Sequence, residues 1–420
     1  MNDFIEDLET QEVIARHDER NCYEAVVIDG RKRTLVHRSM QYLFAVEQFV
    51  KAIEQDYAKK GKAKGIREWL GRDGFPKYEM HPLGKQYYGE LNEWIERYRE
   101  GARYSQHVEA FHDACKELGI IGKRRFWFGE LGDTDWEHDR SYTDWFNDLI
   151  VKIHERCQSR KFKERERLLK IHVKRNVDNV TAFEEDLFSD ENGRSQWLII
   201  ELTLQYESKY RESITLDDVL KHRDKFFRAR KYNKLMSCIK AYVWAIEEGE
   251  DAGFHLHVIL FCLPVTKNDE RLANQIGDYW ADVVTGRGKY WNSNREDLKS
   301  HYERKGHGVG VGLIDHRDSK MRGALLVNLL YLAKAEQQLQ IRAEGNSVHT
   351  FGMSGVPKKV KAGRPRNSCA VGADWKVDDA LLNDIVAQKG SANTVQGAAS
   401  RLRKSGVAWP VPIEATLSKA

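Results

Sequence analysis

Proline and long apolar runs are scarce in this chain, and both absences limit what it can be. Only 7 of the 420 residues are proline, and none lies between Pro82 and Pro264. Proline interrupts helices and central strands, so this stretch can form uninterrupted regular structure. The longest apolar tract, residues 324–333, is far shorter than the ~20 residues that span a bilayer. We therefore expect no membrane segment.

Cysteine pairs, a leader and a phosphate loop are also missing. The six cysteines form no CxxC pair, and the first residues show no basic leader followed by an apolar stretch. These absences predict a reduced, cytoplasmic protein. No Gly-Lys pair is followed by Ser or Thr, so the sequence has no Walker A loop. We expect no ATP-driven helicase activity in this chain.

The overall charge is nearly balanced, with 68 Lys and Arg against 64 Asp and Glu and a net charge of +4. A nucleic-acid surface must therefore come from local clusters of cations. The composition, 41% hydrophobic and 31% charged, allows a sizeable core in two or three units. It excludes a long disordered tether.

The first part of the chain has a helical pattern. Apolar residues recur three and four positions apart, for example in residues 40–60 and 141–158. The pattern predicts an α-helical N-terminal region over residues 1–185. Its role is open, and binding of DNA or of a host factor are the two hypotheses.

The pattern changes after residue 185. Short β-branched or aromatic runs predict strands at 197–206, 241–246 and 254–261. Helical patterns lie between and after them, giving a β-α-β-β-α order. This order predicts an α+β domain over residues 186–355, with a mixed or antiparallel sheet and helices on one face, as in ferredoxin-like domains. Residues 356–420 form a basic loop and a tail.

Two histidines in the strand GFHLHVILF are candidate metal ligands. His255 and His257 are two positions apart, so they lie on the same side of the strand and can bind one ion together. The preceding strand ends in Glu247 and Glu248, and Glu247 is the preferred third ligand because it continues the strand. Two imidazoles and one carboxylate leave open positions on Mg²⁺ or Mn²⁺, which suits phosphodiester chemistry. The alternatives are two core histidines and an exposed hairpin carboxylate.

A tyrosine and a lysine form the second candidate group. Tyr331 and Lys334 are three positions apart on a predicted helix, so they share a face. The pKa of a tyrosine hydroxyl is about 10 in water, so attack on phosphorus near neutral pH needs a polarised phosphate and a nearby cation. Tyr331 is the candidate nucleophile and Lys334 the candidate cation. The alternative is a buried helix tyrosine beside a solvent-facing lysine.

Three landmarks together resemble the HUH (His-hydrophobic-His) endonucleases, and specifically the rolling-circle replication initiators. They are the ELTL strand at 201–204, His255-Leu256-His257, and Tyr331 with Lys334, in that order. In conjugative relaxases the tyrosine precedes the histidine pair. Over residues 200–366 the chain is similar to the inovirus Gp2-like replication proteins of filamentous phages and prophages, in the motifs GFHLHVILF, GRGKYWNSN, GHGVGVG, YLAKAEQ, TFGMS and GRPR.

The resemblance implies a ferredoxin-like or RRM-like HUH nuclease domain that nicks and rejoins one strand of a phage origin. Tyr331 would become joined to the 5′ phosphate, and His255, His257 and Glu247 would hold the Mg²⁺ or Mn²⁺ ion. The free 3′ hydroxyl would prime a host polymerase, and a later 3′ hydroxyl would close a single-stranded circle without ATP. The implied partners are single-stranded and double-stranded origin DNA, a host helicase and a host polymerase, with assembly as an oligomer on DNA.

Two other functions remain open. A single-tyrosine HUH transposase has the same motif order but is usually much shorter than this chain. A non-catalytic DNA-binding regulator of a prophage would use its histidines only structurally. The motif contains a single tyrosine, so the second cleavage of each round needs another protomer or an activated water.

Basic clusters provide candidate DNA-binding surfaces. Residues 221–234 contain seven Lys or Arg and one Asp, with Phe226, Phe227 and Tyr232 between them. Cations contact phosphates and aromatic rings stack on unpaired bases, whereas the alternative is a solvated helix face whose aromatic residues fill the core. The predicted contacts in this segment are Lys221, Arg223, Lys225, Arg228, Arg230 and Lys231.

Two further segments are basic. Residues 152–175 contain ten Lys or Arg and three Glu and are predicted to form a boundary helix. The loop at 356–366 has five cations in eleven residues, and its GRPR sequence resembles an AT-hook, which lays arginines in a narrow minor groove. A flexible basic linker is the alternative. The predicted contacts in the loop are Lys358, Lys359, Lys361, Arg364 and Arg366.

Overall fold

The structure is a computed structural model of the chain. It describes residues 23–28, 31–36, 41–100, 102–122, 126–189, 194–249, 253–338, 342–343 and 349–357. The five cations predicted in the basic loop, Lys358, Lys359, Lys361, Arg364 and Arg366, lie outside the described residues. Among the described helices, none combines the length and apolarity needed to cross a bilayer. The four cysteines in the described part of the chain are buried free thiols.

The N-terminal region contains helices, as the sequence predicts. They are α1 (Gln41–Lys60), α2 (Pro82–Tyr87), α3 (Leu91–Glu96), α4 (Gln106–Glu117), α5 (Tyr142–Cys157) and α6 (Arg160–Phe188), with a short 3₁₀ turn at Tyr88–Glu90. Serine side chains at Ser105, Ser141 and Ser159 accept hydrogen bonds from backbone N–H groups in the first turns of α4, α5 and α6. Such N-caps satisfy donors that the helix itself leaves free and so determine where each helix starts.

Short antiparallel strand pairs, which the sequence analysis did not predict, accompany these helices. They are β1 (Tyr23–Ile28) with β2 (Arg31–Val36), β3 (Ile66–Leu70) with β4 (Pro76–Met80), β6 (Thr134–Asp135) with β7 (Arg140–Ser141), and β5 (Ala102–Arg103) with β13 (Arg342–Ala343). The core of this region is aromatic. Phe49 of α1 stacks on Phe146 of α5 and meets Trp94 and Phe111 edge-on or tilted.

Helix α6 joins the N-terminal core to the second part of the chain. Phe162, near its start, packs against the N-terminal core, whereas Val180, Phe183 and Leu187, near its end, belong to another core. None of residues 161–179, all of which are described, is buried. The middle of the helix is therefore a solvent-exposed connection of the kind that polar, charged helices form between domains.

A six-stranded antiparallel sheet dominates the second part. Its strands are β8 (Gln196–Tyr206), β9 (Ile239–Gly249), β10 (Gly253–Cys262), β11 (Gly288–Asn292), β12 (Gly312–Asp315) and β14 (Phe351–Met353). The spatial order is β11-β8-β10-β9-β14, and β12 pairs with the other end of β8. Strand β10 therefore lies in the middle, paired to β8 on one side and to β9 on the other.

Four helices follow in this part of the chain. They are α7 (Leu216–Arg228), α8 (Asp269–Asp278), α9 (Glu296–Arg304) and α10 (Ser319–Gln338), with 3₁₀ turns at Ser208–Ser213, Ala229–Lys231 and Met236–Cys238 and a π-helical turn at Tyr279–Thr285 that extends α8. The capping box of Thr215 and Asp218 starts α7.

Helices cover both faces of the sheet, so the prediction of helices on one face was wrong. Leu256, Val258 and Leu260 of β10 pack in one core with residues of α7 and α8. Ile259 and Phe261, which point the other way, pack in a second core with residues of α6 and α10. The sequence pattern assigns α6 to the N-terminal region. The helix is long enough for its last turns to pack on the sheet, where they form part of the helical layer on this second face.

Candidate active site

Both histidines of β10 lie on the face that α6 and α10 cover. Alternate strand residues point to opposite faces, and His255 and His257 share the parity of Ile259 and Phe261. His255 lies opposite Glu247 of β9. His257 lies opposite Thr203 of β8 on its other side. Pairing in the sheet thus brings a carboxylate and a hydroxyl beside the two imidazoles.

The two imidazoles and the carboxylate of Glu247 converge. Nε2 of His257 lies 3.2 Å from Oε2 of Glu247, and Nε2 of His255 lies 3.4 Å from the same oxygen. All three side chains are nearly buried, with Glu247 the most exposed at 14%. The structure therefore brings together the three residues predicted as metal ligands.

The other ring nitrogens also have partners: a carbonyl that fixes the tautomer of His255, and at His257 a hydroxyl that can accept from Nδ1 or donate to it. Nδ1 of His255 lies 3.0 Å from the carbonyl oxygen of Gly253, which can only accept, so this nitrogen carries the proton. Nδ1 of His257 lies 3.1 Å from the hydroxyl of Thr203. With Nδ1 protonated in both rings, each Nε2 would be free to bind an ion beside Glu247, which is the arrangement that outer partners impose on metal-binding histidines.

The spacing of the donor atoms fits one small ion. Two atoms each about 2.1 Å from an ion are about 3.0 Å apart at a right angle and about 3.4 Å apart at the tetrahedral angle. The contacts of 3.2 and 3.4 Å between the donors fall in this range. Two imidazole nitrogens and one carboxylate oxygen are a donor set that several divalent ions accept, Zn²⁺ and Fe²⁺ among them, so the donors by themselves do not select one ion. Held here, such an ion would act as a Lewis acid on an anionic substrate oxygen.

Tyr331 reaches this group from α10. Its hydroxyl donates to Oε1 of Glu247 over 3.0 Å, while Oε2 of the same carboxylate contacts the histidines. The ring lies 6.5 Å from that of His257, nearly perpendicular to it. Tyr331 is almost buried at 7% exposure. One carboxylate thus links the candidate nucleophile to the candidate metal ligands.

Glu248 has a different environment from Glu247. It does not join the group of donor atoms formed by Glu247 and the two histidines. Its Oε1 lies 3.6 Å from a guanidinium nitrogen of Arg99, in the N-terminal region. Burial raises the pKa of Glu248 above its ordinary value, and the charge of Arg99 offsets part of this rise.

Several polar residues near the site escaped the sequence analysis. Asn328, one turn before Tyr331, donates to Oε2 of Glu201 over 2.9 Å and so ties α10 to β8. Asn294 is fully buried, accepts from the backbone N–H of Glu201 and donates to the carbonyl of Ile199. Glu201 and Thr203 belong to the ELTL strand, and Asn294 to the GRGKYWNSN motif. Both motifs can be seen in the sequence, but the residues that their side chains contact are distant along the chain, so the contacts themselves could not be predicted.

Of the cations predicted to bind DNA, those in residues 221–231 lie on the other side of the sheet. Helix α7 packs on the face opposite the histidines, and its residues Phe226 and Phe227 are buried in that core. These two rings therefore fill the core, as the alternative interpretation held, whereas Tyr232 is 69% exposed. A DNA strand that contacts both α7 and Tyr331 must pass around an edge of the sheet.

Half of the six cations predicted on α7 and in the 3₁₀ turn after it make contacts within the protein. Arg223 lies over the ring of Trp244, and Arg230 lies over the ring of Tyr242. Lys225 donates to the carbonyl oxygens of residues 283 and 284. Lys221, Arg228 and Lys231 are exposed. The backbone of Lys334 continues α10 beyond Tyr331, but its side chain lies outside the described residues.

A second group of potential metal donors lies far along the chain from these residues. Asp135, Glu137 and His138 present oxygen and nitrogen atoms close together, and Nδ1 of His138 contacts Asp135. Glu137 and His138 are exposed. Exposed acidic groups of this kind are common on protein surfaces.

Comparison with known protein families identifies a match. The model of a family described as the YagK/YfjJ C-terminal domain matches residues 143–354, just over half of the chain. The matched stretch includes the whole six-stranded sheet, both histidines, Glu247 and Tyr331. No curated protein and no solved structure matches the chain.

Proposed function

The chain belongs to the YagK/YfjJ C-terminal domain family, and from this premise we propose that its family domain is a metal-dependent enzyme that nicks and rejoins single-stranded DNA. The observation that supports this proposal is the contact of one carboxylate with both a tyrosine hydroxyl and two histidines. Glu247 accepts from Tyr331 through one oxygen and faces His255 and His257 with the other. A purely structural histidine pair does not require this link.

Glu247 has two roles in the proposed reaction. The hydrogen bond of 3.0 Å from the Tyr331 hydroxyl to Oε1 lets the carboxylate take the phenolic proton as the oxygen attacks phosphorus. Its second oxygen and the Nε2 atoms of His255 and His257 would hold Mg²⁺ or Mn²⁺, which would neutralise charge on the phosphate. The carbonyl of Gly253 keeps His255 in the required tautomer, and the Thr203 hydroxyl, accepting from Nδ1 of His257, would do the same there.

The proposed reaction forms one bond to phosphorus for each one that it breaks, so it needs no external energy source. The Tyr331 oxygen forms a bond to phosphorus, and the bond from phosphorus to the 3′ oxygen breaks. The leaving 3′ oxygen takes up one proton. The products are a 5′-phosphotyrosine and a strand with a free 3′ hydroxyl. A 3′ hydroxyl can later attack the phosphotyrosine in the reverse sense, restoring the tyrosine and joining the strand. The missing Walker A loop agrees with a reaction that needs no ATP.

The finer proposal is that this domain has the HUH fold and initiates rolling-circle replication of a phage-type origin. An antiparallel sheet with both histidines on its middle strand, and a tyrosine presented by a helix C-terminal to them, supports this assignment. The partners would be origin DNA in single-stranded and double-stranded form, a host polymerase that extends the 3′ hydroxyl, and a host helicase. Lys334 would assist from the next turn of α10.

A nicking assay tests the proposal. Labelled single-stranded oligonucleotides tiled across the region around the chain's own gene are incubated with the protein in Mg²⁺, Mn²⁺ or EDTA. We expect cleavage with metal only, and its loss in Tyr331→Phe and in His257→Ala. Tyr290→Phe is the matched control, because Tyr290 packs against the core on the opposite face and donates to Asp278. Cleavage that survives Tyr331→Phe, or that needs no metal, would refute the proposal.

A further inference from the structure

A two-stranded arm, formed by β3, β4 and the turn between them (residues 66–80), projects from the N-terminal core. The side chain of Asn147 on α5 holds the base of the arm. The side chain of Asn147 accepts from the backbone N–H of Ile66 over 3.0 Å and donates to its carbonyl over 2.7 Å. A Cβ on Gly65 would come within 2.8 Å of Phe146, so the chain passes too close to α5 for a side chain. Beyond this base, nearly every residue of the arm is exposed.

The arm exposes large apolar side chains that its own fold does not need. Leu70 is 74% exposed, Phe75 70%, Tyr78 49% and Trp69 41%. Single exposed apolar residues are ordinary, but this short hairpin exposes four, with Trp69 on one face and Leu70 and Tyr78 on the other, and such a concentration marks an interaction site. A two-stranded hairpin is marginally stable by itself, so its attachment through Asn147 makes it a defined structure.

The two faces of the arm differ in charge. Arg67, Trp69 and Lys77 share one face, because Trp69 lies directly opposite Lys77 and Arg67 is two positions before Trp69. The guanidinium of Arg67 lies 5.4 Å from the ring centre of Trp69. Glu79 lies opposite Arg67 on this face, and Nζ of Lys77 pairs with Asp73 over 3.1 Å. The positive charge therefore belongs to the arm and its foot together, since residues 59–80 contain seven Lys or Arg and three Asp or Glu. The exposed lysines at the foot of the arm add positive charge: Lys59, Lys60, Lys62 and Lys64.

The opposite face lies toward an acidic loop. Tyr78 is on that face, and its ring is 3.8 Å from the position that a Cβ on Gly132 would occupy. Residues 129–139, around Gly132, contain five Asp or Glu and no Lys or Arg. A polyanion is repelled from the Tyr78 side and attracted to the side of Arg67, Trp69 and Lys77.

We propose that the face of the arm with Arg67, Trp69 and Lys77 binds single-stranded nucleic acid. The two cations contact phosphates, and the ring of Trp69 stacks on an unpaired base, which is how proteins bind single strands without reading their sequence. This site lies outside the family match and does not depend on the nicking chemistry proposed above, because binding can be measured when no strand is cut.

The test uses the full chain with Tyr331→Phe in EDTA, so that no nicking occurs, and a fluorescent mixed-sequence single strand read by anisotropy. Trp69→Ala is expected to weaken binding about tenfold, the effect of losing one stacked base. Trp136→Ala is the matched control, because Trp136 is 86% exposed in the acidic loop and should bind as well as the parent. Arg67→Ala with Lys77→Ala should flatten the salt dependence by about 1.4 in the slope of log K against log salt.

A structural effect of Trp69→Ala is separated by two measurements. Thermal unfolding should be unchanged, because the side chain is exposed, and Trp69→Phe should restore most of the binding by retaining a ring. The proposal is overturned if Trp69→Ala binds like the parent, if Trp136→Ala loses as much, or if duplex of the same sequence binds as tightly as the single strand.

Discussion

Replacing Thr203 by valine isolates the role of the hydroxyl that holds His257. Valine keeps the branched shape and the strand preference of threonine but cannot accept a hydrogen bond. In the native chain the hydroxyl lies 3.1 Å from Nδ1 of His257, and both residues are buried. The substitution leaves the ring free to place its proton on Nε2, the atom that faces Glu247.

The expected loss follows from this one contact. Outer partners of metal-binding histidines typically contribute 10–100-fold to metal affinity, so Thr203→Val should raise the Kd for Mn²⁺ by about that factor. A buried donor without an acceptor costs about 1–3 kcal/mol, which predicts a loss of stability of similar size. The global fold should persist, because the neighbouring residues Leu202 and Leu204 pack on the other face.

Calorimetric titration of Mn²⁺ into the Tyr331→Phe protein, with and without Thr203→Val, measures this effect. Thr181→Val on α6 is the matched control, since it makes the same chemical change in a partly buried helix position away from the histidines. Unchanged Mn²⁺ affinity in a folded Thr203→Val protein would refute the reasoning. So would an equal loss in His138→Ala, because that residue belongs to the separate group around Asp135.

Three further predictions concern stability. Arg322 and Glu184 form a paired double hydrogen bond of 2.9 and 2.8 Å between α10 and α6, and Glu184 is fully buried, so Arg322→Ala should cost about 3–5 kcal/mol in urea unfolding. Replacing both residues by leucine should recover most of that loss. Burial lowers the pKa of His112 to about 3, whereas the unfolded chain keeps a value near 6.5, so the unfolded state takes up the proton first as the pH falls. Stability present above about pH 6.5 should therefore decline by up to about 1.4 kcal/mol per pH unit toward pH 3, and His112→Leu should reduce this slope. Asn294→Ala should cost about 2–4 kcal/mol, since it leaves buried groups of Glu201 and Ile199 without partners.

Each of these predictions has a contrary outcome. An Arg322→Ala protein as stable as the parent would show that Glu184 finds water or another partner. Equal pH slopes for the parent and His112→Leu, measured by thermal unfolding from pH 7 to pH 4.5, would contradict the assignment of acid sensitivity to that ring. If Asn294→Ala melts like the parent, the contacts of Asn294 with β8 do not hold the loop after β11.

The strands of the second part could be predicted from the sequence because their signals are local. The run at 197–206 starts one residue after β8 starts. The run at 254–261 starts one residue after β10 starts and ends one residue before β10 ends. The shared side of His255 and His257 follows directly from strand geometry. The choice of Glu247 over Glu248 follows in the same way, since Glu247 continues the strand opposite His255.

The remaining features depend on contacts between distant residues. Asn328 and Glu201 are 127 positions apart, and neither residue has a local pattern that reports their hydrogen bond. The second helical layer also escaped prediction, because α6 begins in the N-terminal core and only its last turns pack on the sheet. Phe226 and Phe227 show the opposite kind of error, in which the local sequence suggests a function for residues that fill the core. Their basic surroundings suggested base stacking, whereas their position on α7 buries both rings.

The central claim is that Tyr331 forms a covalent bond to DNA in a site built on Glu247 and the two histidines. The most direct test is mass spectrometry of the proteolysed protein after reaction with a cleavable single strand in Mn²⁺. The account predicts a nucleotide adduct on the peptide that contains Tyr331, absent in EDTA and absent in Glu247→Ala. Cleavage of the strand without an adduct on Tyr331, or an adduct on another residue, would contradict it.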